Sequence, residues 1–290
     1  MSFVPTNQGN SDFTSNIDWN LINTTVKAGS RPARISMIVD LGEQERDDYI
    51  TDVDFNDSKQ NKALADGKAS IEEIEGKAQF VKPLDPIQQV AIFADLVSDA
   101  VPYGEDNKPY RIMLNNTWEG DIKGTAFAAG NKLQNGNWTF ASNSLLTKLA
   151  MATETEEILD GTTMDISLML NKPFMATIVK KDGDGGKTYV NYKGAAPVPE
   201  IEGYSVPELS GPALLVQFSE ATKEQADMLR KGIKDKIKKA GNYEGSQMQK
   251  AIEESEAAFK AGLDSNPTAS TEPTNTGELP AEDLEDDCPF

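Results

Sequence analysis

Ile35-Ser36-Met37-Ile38-Val39-Asp40-Leu41 is the stretch that decides the fold class. Ile35, Met37, Val39 and Leu41 recur at every second position, with Ser36, Ile38 and Asp40 between them. That period belongs to a half-buried strand, because successive side chains of an extended chain point to opposite faces. Further strand-like runs are predicted at 109–115, 121–128, 164–170, 173–181, 187–193 and 213–218. Helical signals interrupt these runs without alternating with them. At Asp85, Pro86 occupies a first helical position and Gln88 completes a capping box, and Ile87, Val90, Ala91, Ala94 and Val97 follow at helical spacing, which predicts a helix over 85–98. Leu145, Leu146 and Leu149 predict a second, short one. Many strands, few helices and a turn every ten or so residues favour a barrel or sandwich over βαβ units.

Outward from this β-rich centre, residues 1–30 read as an Asn/Ser/Thr-rich arm that docks through Trp19. On the other side, Ala226, Leu229, Ile233, Ile237 and Ala240 lie on one face of 219–240, among Arg230, Lys231, Lys234, Lys236, Lys238 and Lys239. Met248, Ile252 and Phe259 mark a second amphipathic helix over 245–262. These helices are expected either to fold back on the barrel or to mediate self-association. From 263 to 290 the chain turns Pro/Thr/Ser/Glu-rich; eight acids and no base lie from Asp264 on. Such a segment cannot bury enough apolar surface to offset its ordering entropy, so a disordered acidic tail is expected.

The whole chain has 290 residues and a net charge of -19; the tail's eight acids account for 8 of it and leave -11 for the rest. A uniformly basic coat for nucleic acid is excluded, but charge segregated along the chain is not. Histidine is absent and Cys288 is the single cysteine, which removes the commonest general base, an internal disulfide and any Cys/His zinc site. No cofactor or metal is expected. The first residues lack a basic and an apolar leader region, and no run approaches a membrane span, so a cytoplasmic protein without a membrane partner is expected.

The chain ends Asp286-Asp287-Cys288-Pro289-Phe290: two carboxylates, a rigid Pro and an aromatic ring against the terminal carboxylate. A ring on an acidic tail reads as a ligand for another protein, anchored by Phe290 and steered by Asp286 and Asp287 toward Arg or Lys. This end resembles the C-terminal tip of bacterial single-stranded DNA-binding proteins and their phage-encoded counterparts. Asp286, Asp287, Pro289 and Phe290 match it position by position, and Cys288 replaces the usual Ile. The resemblance covers these few residues. It implies an OB-like barrel over 31–218, binding of single-stranded DNA in replication, repair or recombination, no catalysis, and recruitment of replication and recombination proteins through the tip. The length and the absence of His favour a phage-encoded member in the bacterial host cytoplasm.

A barrel that binds single strands needs cations for phosphates and aromatic platforms for bases. One candidate is the Gly-rich hairpin over 178–193, with Lys180, Lys181, Lys187, Tyr189, Tyr192 and Lys193; its two tyrosines are three apart and face opposite sides of a regular strand. A second runs from Tyr110 and Arg111 through Trp118, Lys123 and Lys132 to Trp138, with at least one of the two tryptophans expected in the core. Arg31 and Arg34, where the arm enters the barrel, complete the expected DNA-binding set. Asp182-Gly183-Asp184 opens like a calcium loop, but Gly186, Lys187 and Lys193 stand where ligands and the turn glycine belong. The acids at 43–57 read as a solvated edge strand. Two other classes stay open: a scaffolding protein with an acidic capture peptide, and a metal-dependent nuclease built on Asp47 and Asp48.

Overall fold

A computed structural model of the chain describes residues 24–103, 106–115, 117–118, 121–182 and 188–264. The fold is mainly β. Its centre is a strongly curled, half-barrel sheet, antiparallel but for one short parallel pair. In chain order the strands are β1 (Gly29–Gln44), β2 (Tyr49–Asp52), β3 (Ser70–Ile74), β4 (Lys77–Lys82), β5 (Ile87–Tyr103), β6 (Asp106–Met113), β7 (Thr117–Trp118), β8 (Asp121–Ile122), β9 (Thr125–Ala126), β10 (Asn131–Lys132), β11 (Trp138–Thr139), β12 (Pro173–Asp182), β13 (Thr188–Ala196) and β14 (Leu214–Val216). The helices are α1 (Ser58–Ala65), α2 (Leu145–Ala152), α3 (Glu156–Leu159), α4 (Lys223–Asp227), α5 (Lys231–Lys238) and α6 (Gln247–Asp264). The main sheet runs β13-β12-β1-β5-β6, with β14 parallel to β1 and β9 against β5.

The strand predicted from Ile35 to Leu41 forms the middle of β1, and both of its faces are buried. Ala33, Ile35 and Ile38 face one cluster with Ile92, Leu96, Ile112, Phe174 and Ile178, closed over by Phe140, Leu146, Leu149, Ile158 and Met169. Met37, Val39 and Leu41 face the other, with Phe93 and Val216 from the sheet and Leu229, Ile233, Ile237, Met248 and Ile252 from the C-terminal helices. The switch between faces comes from a bulge at Ser36, where the pairing slips between Ile35 and Met37. The amphipathic segments after 219 thus fold back on the sheet and share its core. They break at Arg230, whose extended backbone separates α4 from α5. Phe259, expected on the apolar face of the last helix, is exposed.

Three expectations are corrected. The helix over 85–98 is instead β5, a 17-residue strand. Val90, Ile92, Ala94 and Leu96 pack on one side and Ala91 and Phe93 on the other. Burial on both faces erases the alternation that identifies a strand, and the remaining apolar run matches a helical template by coincidence. The run at 164–170 is a 3-10 turn over Ile166–Met169. Its start is fixed by the Asp165 carboxylate accepting from Ser167 N–H, and it places Ile166 and Met169, three apart, in the core. The run at 121–128 yields only the two-residue strands β8 and β9. Gly124 lies between them against β5, so close that a Cβ there would come within 2.7 Å of Gln89 and Leu41.

Residues 45–86 leave the main sheet as a small excursion. It holds a separate sheet of order β2-β4-β3 and the helix α1, which is capped by the Asp57 carboxylate. The acids at 43–57 accordingly surround an edge strand, β2.

Candidate nucleic-acid interface

The expected DNA-binding residues divide by what the fold does with them. Three arginines, one buried and two half-buried, are tied into it. Arg34 is 8% exposed. Its guanidinium donates to the carbonyls of Asn171, Val206 and Pro207 and to the Glu208 carboxylate, tying β1 to the loop ahead of β14. Arg111 donates through Nε and Nη2 to Asp95 at 2.8 and 3.2 Å, and Ser36 Oγ donates to the same buried carboxylate at 2.7 Å. Register sets Arg34, Asp95 and Arg111 side by side across β1, β5 and β6. Arg31 Nε donates to Asp99 at 2.7 Å. Each of these cations has a carboxylate partner in place. Tyr110 is also interior, in the cluster with Leu96 and Ile112.

The β12–β13 hairpin presents a different picture. Lys181 pairs with Tyr189 across the strands, and Ile178 with Tyr192. The two tyrosines therefore lie on opposite faces. Tyr192 packs on the core and burial pushes its phenol up to about 12, so it stays neutral at ordinary pH. Tyr189 shares the outer face with exposed Lys181. Lys180 lies opposite core Val190 yet is exposed, with Nζ 3.4 Å from the Thr24 carbonyl. Lys193 is exposed at the bulge that follows Tyr192. Lys187 and the terminal residues Asp286, Asp287, Pro289 and Phe290 lie outside the described residues, as does the side chain of Trp118.

Trp138, which ends the second expected stretch, is held as an exposed aromatic platform. Trp138 is 52% exposed. On β11 it sits directly opposite exposed Lys132 of β10. The next residue, Thr139, points inward and its hydroxyl donates to the Ile158 carbonyl at 2.6 Å, so the alternation of the strand turns the indole outward. The turn is braced from behind by Asn135 and Asn137, whose side-chain amides both donate to the Asp160 carbonyl. The hydroxyl and backbone N–H of Thr162 hold the Asp160 carboxyl below the usual range, leaving a fixed negative charge at the base of the hairpin. An exposed indole on a braced turn, with a lysine opposite it, can stack a base and neutralise the adjoining phosphate. The signal available in sequence was Asn135-Gly136-Asn137, a turn immediately before the indole. Lys123, also in the expected set, is exposed between β8 and β9.

An open cleft of about 120 Å³ lies between β1, β5 and β14, lined by Ile38, Gln88, Phe127, Leu215, Asp40 and Asp165. Its two carboxylates make it unsuited to a phosphate backbone. Among the described residues no three His, Cys, Asp or Glu side chains gather as a metal site, so Asp47 and Asp48 belong to no such cluster. Nor is any described helix long and apolar enough to cross a membrane. No family model matches the chain, and no curated protein or solved structure resembles it significantly.

Proposed function

We propose that the protein binds single-stranded DNA without catalysis, on an OB-like half-barrel, and recruits replication, repair or recombination proteins through its C-terminal tip. The observation that carries this reading is the terminal Asp286-Asp287-Cys288-Pro289-Phe290 on a segment with eight acids and no base. The body offers support of two kinds. Trp138 opposite Lys132, and Tyr189 opposite Lys181, are aromatic–cation pairs on outer faces of β hairpins. That pairing suits a strand whose bases are unstacked and whose phosphates follow the bases. Arg31 and Arg111 tie β1 and β6 to β5 through Asp99 and Asp95, and Arg34 ties β1 to the loop ahead of β14, so these cations serve the sheet that carries the hairpins.

The test is a titration of the full chain with fluorescent oligo(dT) and with a matched duplex, with and without magnesium. Salt-dependent binding to oligo(dT), weaker binding to duplex and no cleavage are expected. Absence of salt-dependent binding would favour a scaffolding role, and magnesium-dependent cleavage a nuclease.

A further inference from the structure

The excursion over 45–86 has more apolar surface than it can bury. Its buried apolar side chains are Phe80 and Val81, and neither belongs to the two clusters that form the body's core. Tyr49, Ile50, Phe55 and Ile71 are exposed, Phe55 to 73%. Tyr49 and Ile50 lie on β2 at one edge of the small sheet, Phe55 follows β2, and Ile71 lies on β3 at the other edge, where an exposed apolar side chain on an open strand offers a place for a further strand to add.

Strand register shows what a strand added at the β3 edge would meet. In the order β2-β4-β3, the outer edge of β3 pairs with no strand among the described residues. One face carries the row Thr51–Phe80–Ile71, with Glu73 and Ala78 beside it. The opposite face carries Ile50–Val81–Ser70, with Asp52, Gln79 and Glu72 beside it. A strand added along β3 would continue both rows. Opposite Ile71 and Ile74 it needs apolar side chains, and opposite Glu72 and Glu73 it needs cations. The required pattern, apolar, Lys/Arg, Lys/Arg, apolar, reads the same in either strand direction.

Charge selects the occupant. Residues 45–86 hold eleven acids and six bases. A second copy, nucleic acid or this chain's own acidic tail would bring like charge to Glu72 and Glu73. We propose that the edge of β3 is a docking site for an extended segment of a basic partner protein carrying that four-residue pattern. The site is separate from the proposed DNA surface and does not depend on it.

The experiment uses the full chain and a capped peptide Ser-Thr-Val-Lys-Lys-Val-Thr-Ser, with the isomer Ser-Lys-Val-Thr-Thr-Val-Lys-Ser as control for charge alone. Hydrogen exchange is followed at 70–74 and affinity by calorimetry. The first peptide is expected to slow exchange in β3 at least tenfold where the isomer does not. The double variant Glu72→Lys/Glu73→Lys is expected to bind it at least tenfold more weakly and to accept Ser-Thr-Val-Glu-Glu-Val-Thr-Ser instead. That exchange of preference also shows the variant to be folded. Equal protection by the isomer, no protection at millimolar peptide, or failure of the charge swap would each overturn the proposal. Affinity for oligo(dT) should be the same with and without peptide.

Discussion

At the scale of single residues, a cation belongs to the fold or to a ligand according to whether a carboxylate already faces it. Arg111 is paired to Asp95, and Lys132 faces Trp138 across a two-residue ladder. Arg111→Gln should therefore lower stability by about 2 kcal/mol, less than a fully buried pair because the guanidinium is 30% exposed, and leave the salt slope of oligo(dT) binding unchanged. Lys132→Gln should do the reverse, reducing that slope by roughly 0.7 for one lost phosphate contact with the melting temperature unmoved. Trp138→Ala should cost roughly 1–3 kcal/mol of binding and remove most of the tryptophan quenching that oligo(dT) produces in the parent. Tyr192 supplies a pH signature of the core. Its folded pKa, about 12, stands above the ordinary 10, so stability is complete below pH 10 and falls as pH rises toward 12. The loss is on the order of 2–3 kcal/mol, and Tyr192→Phe should flatten it in alkaline urea titrations.

Elements show which parts of the chain could be read from sequence. Strands β1, β12, β13 and β14 and helix α2 were legible because each has a turn signal at its ends and at least one face with a clear period. β5 was not, since Ala91 and Phe93 are buried as fully as Ile92 and Ala94, and a strand between two cores has no polar face to announce it. The interface was half legible for a related reason. Tyr189 and Lys181 could be placed by strand period, whereas the partners of Arg34 lie more than 130 residues away in sequence, at Asn171 and Val206–Glu208. The junction of β1 with the C-terminal helices is the element most sensitive to change. Gly42 sits at φ +76 where β1 bulges, and a Cβ there would approach Asn242 Oδ1 and Phe218 at 2.6 Å. Gly42→Ala should cost more than about 2 kcal/mol, combining backbone strain with a clash that the 240–242 segment cannot relieve while Gly241 N–H donates to the Glu43 carbonyl. Thermal melts should show a single earlier transition in which sheet and helices are lost together, since they share one core.

For the whole molecule the governing quantity is the division of charge. The body up to 263 carries -11 and the last 27 residues -8, so under the proposed function a single strand would approach an acidic particle and bind only where cations are local. Lys132, Lys181 and Lys193 are exposed on hairpins, while Arg31, Arg34 and Arg111 are neutralised by Asp99, Glu208 and Asp95. Few cations imply a shallow salt dependence, and they also make each one open to competition from the chain's own acids. Truncation after Leu263 removes eight carboxylates and the terminal Phe290 together. At about 50 mM salt, where the Debye length exceeds 10 Å, the truncated protein should bind oligo(dT) several-fold tighter than the full chain, and the two should converge by about 0.5 M. Under the proposed recruitment through the tip, partner binding should be lost at every salt concentration, since the ring of Phe290 is its anchor. A Phe290→Ala variant separates the effects: it keeps the acids, so its DNA affinity should match the full chain while recruitment fails. Weaker DNA binding after truncation would mean that the tail assists the body and does not compete with the strand.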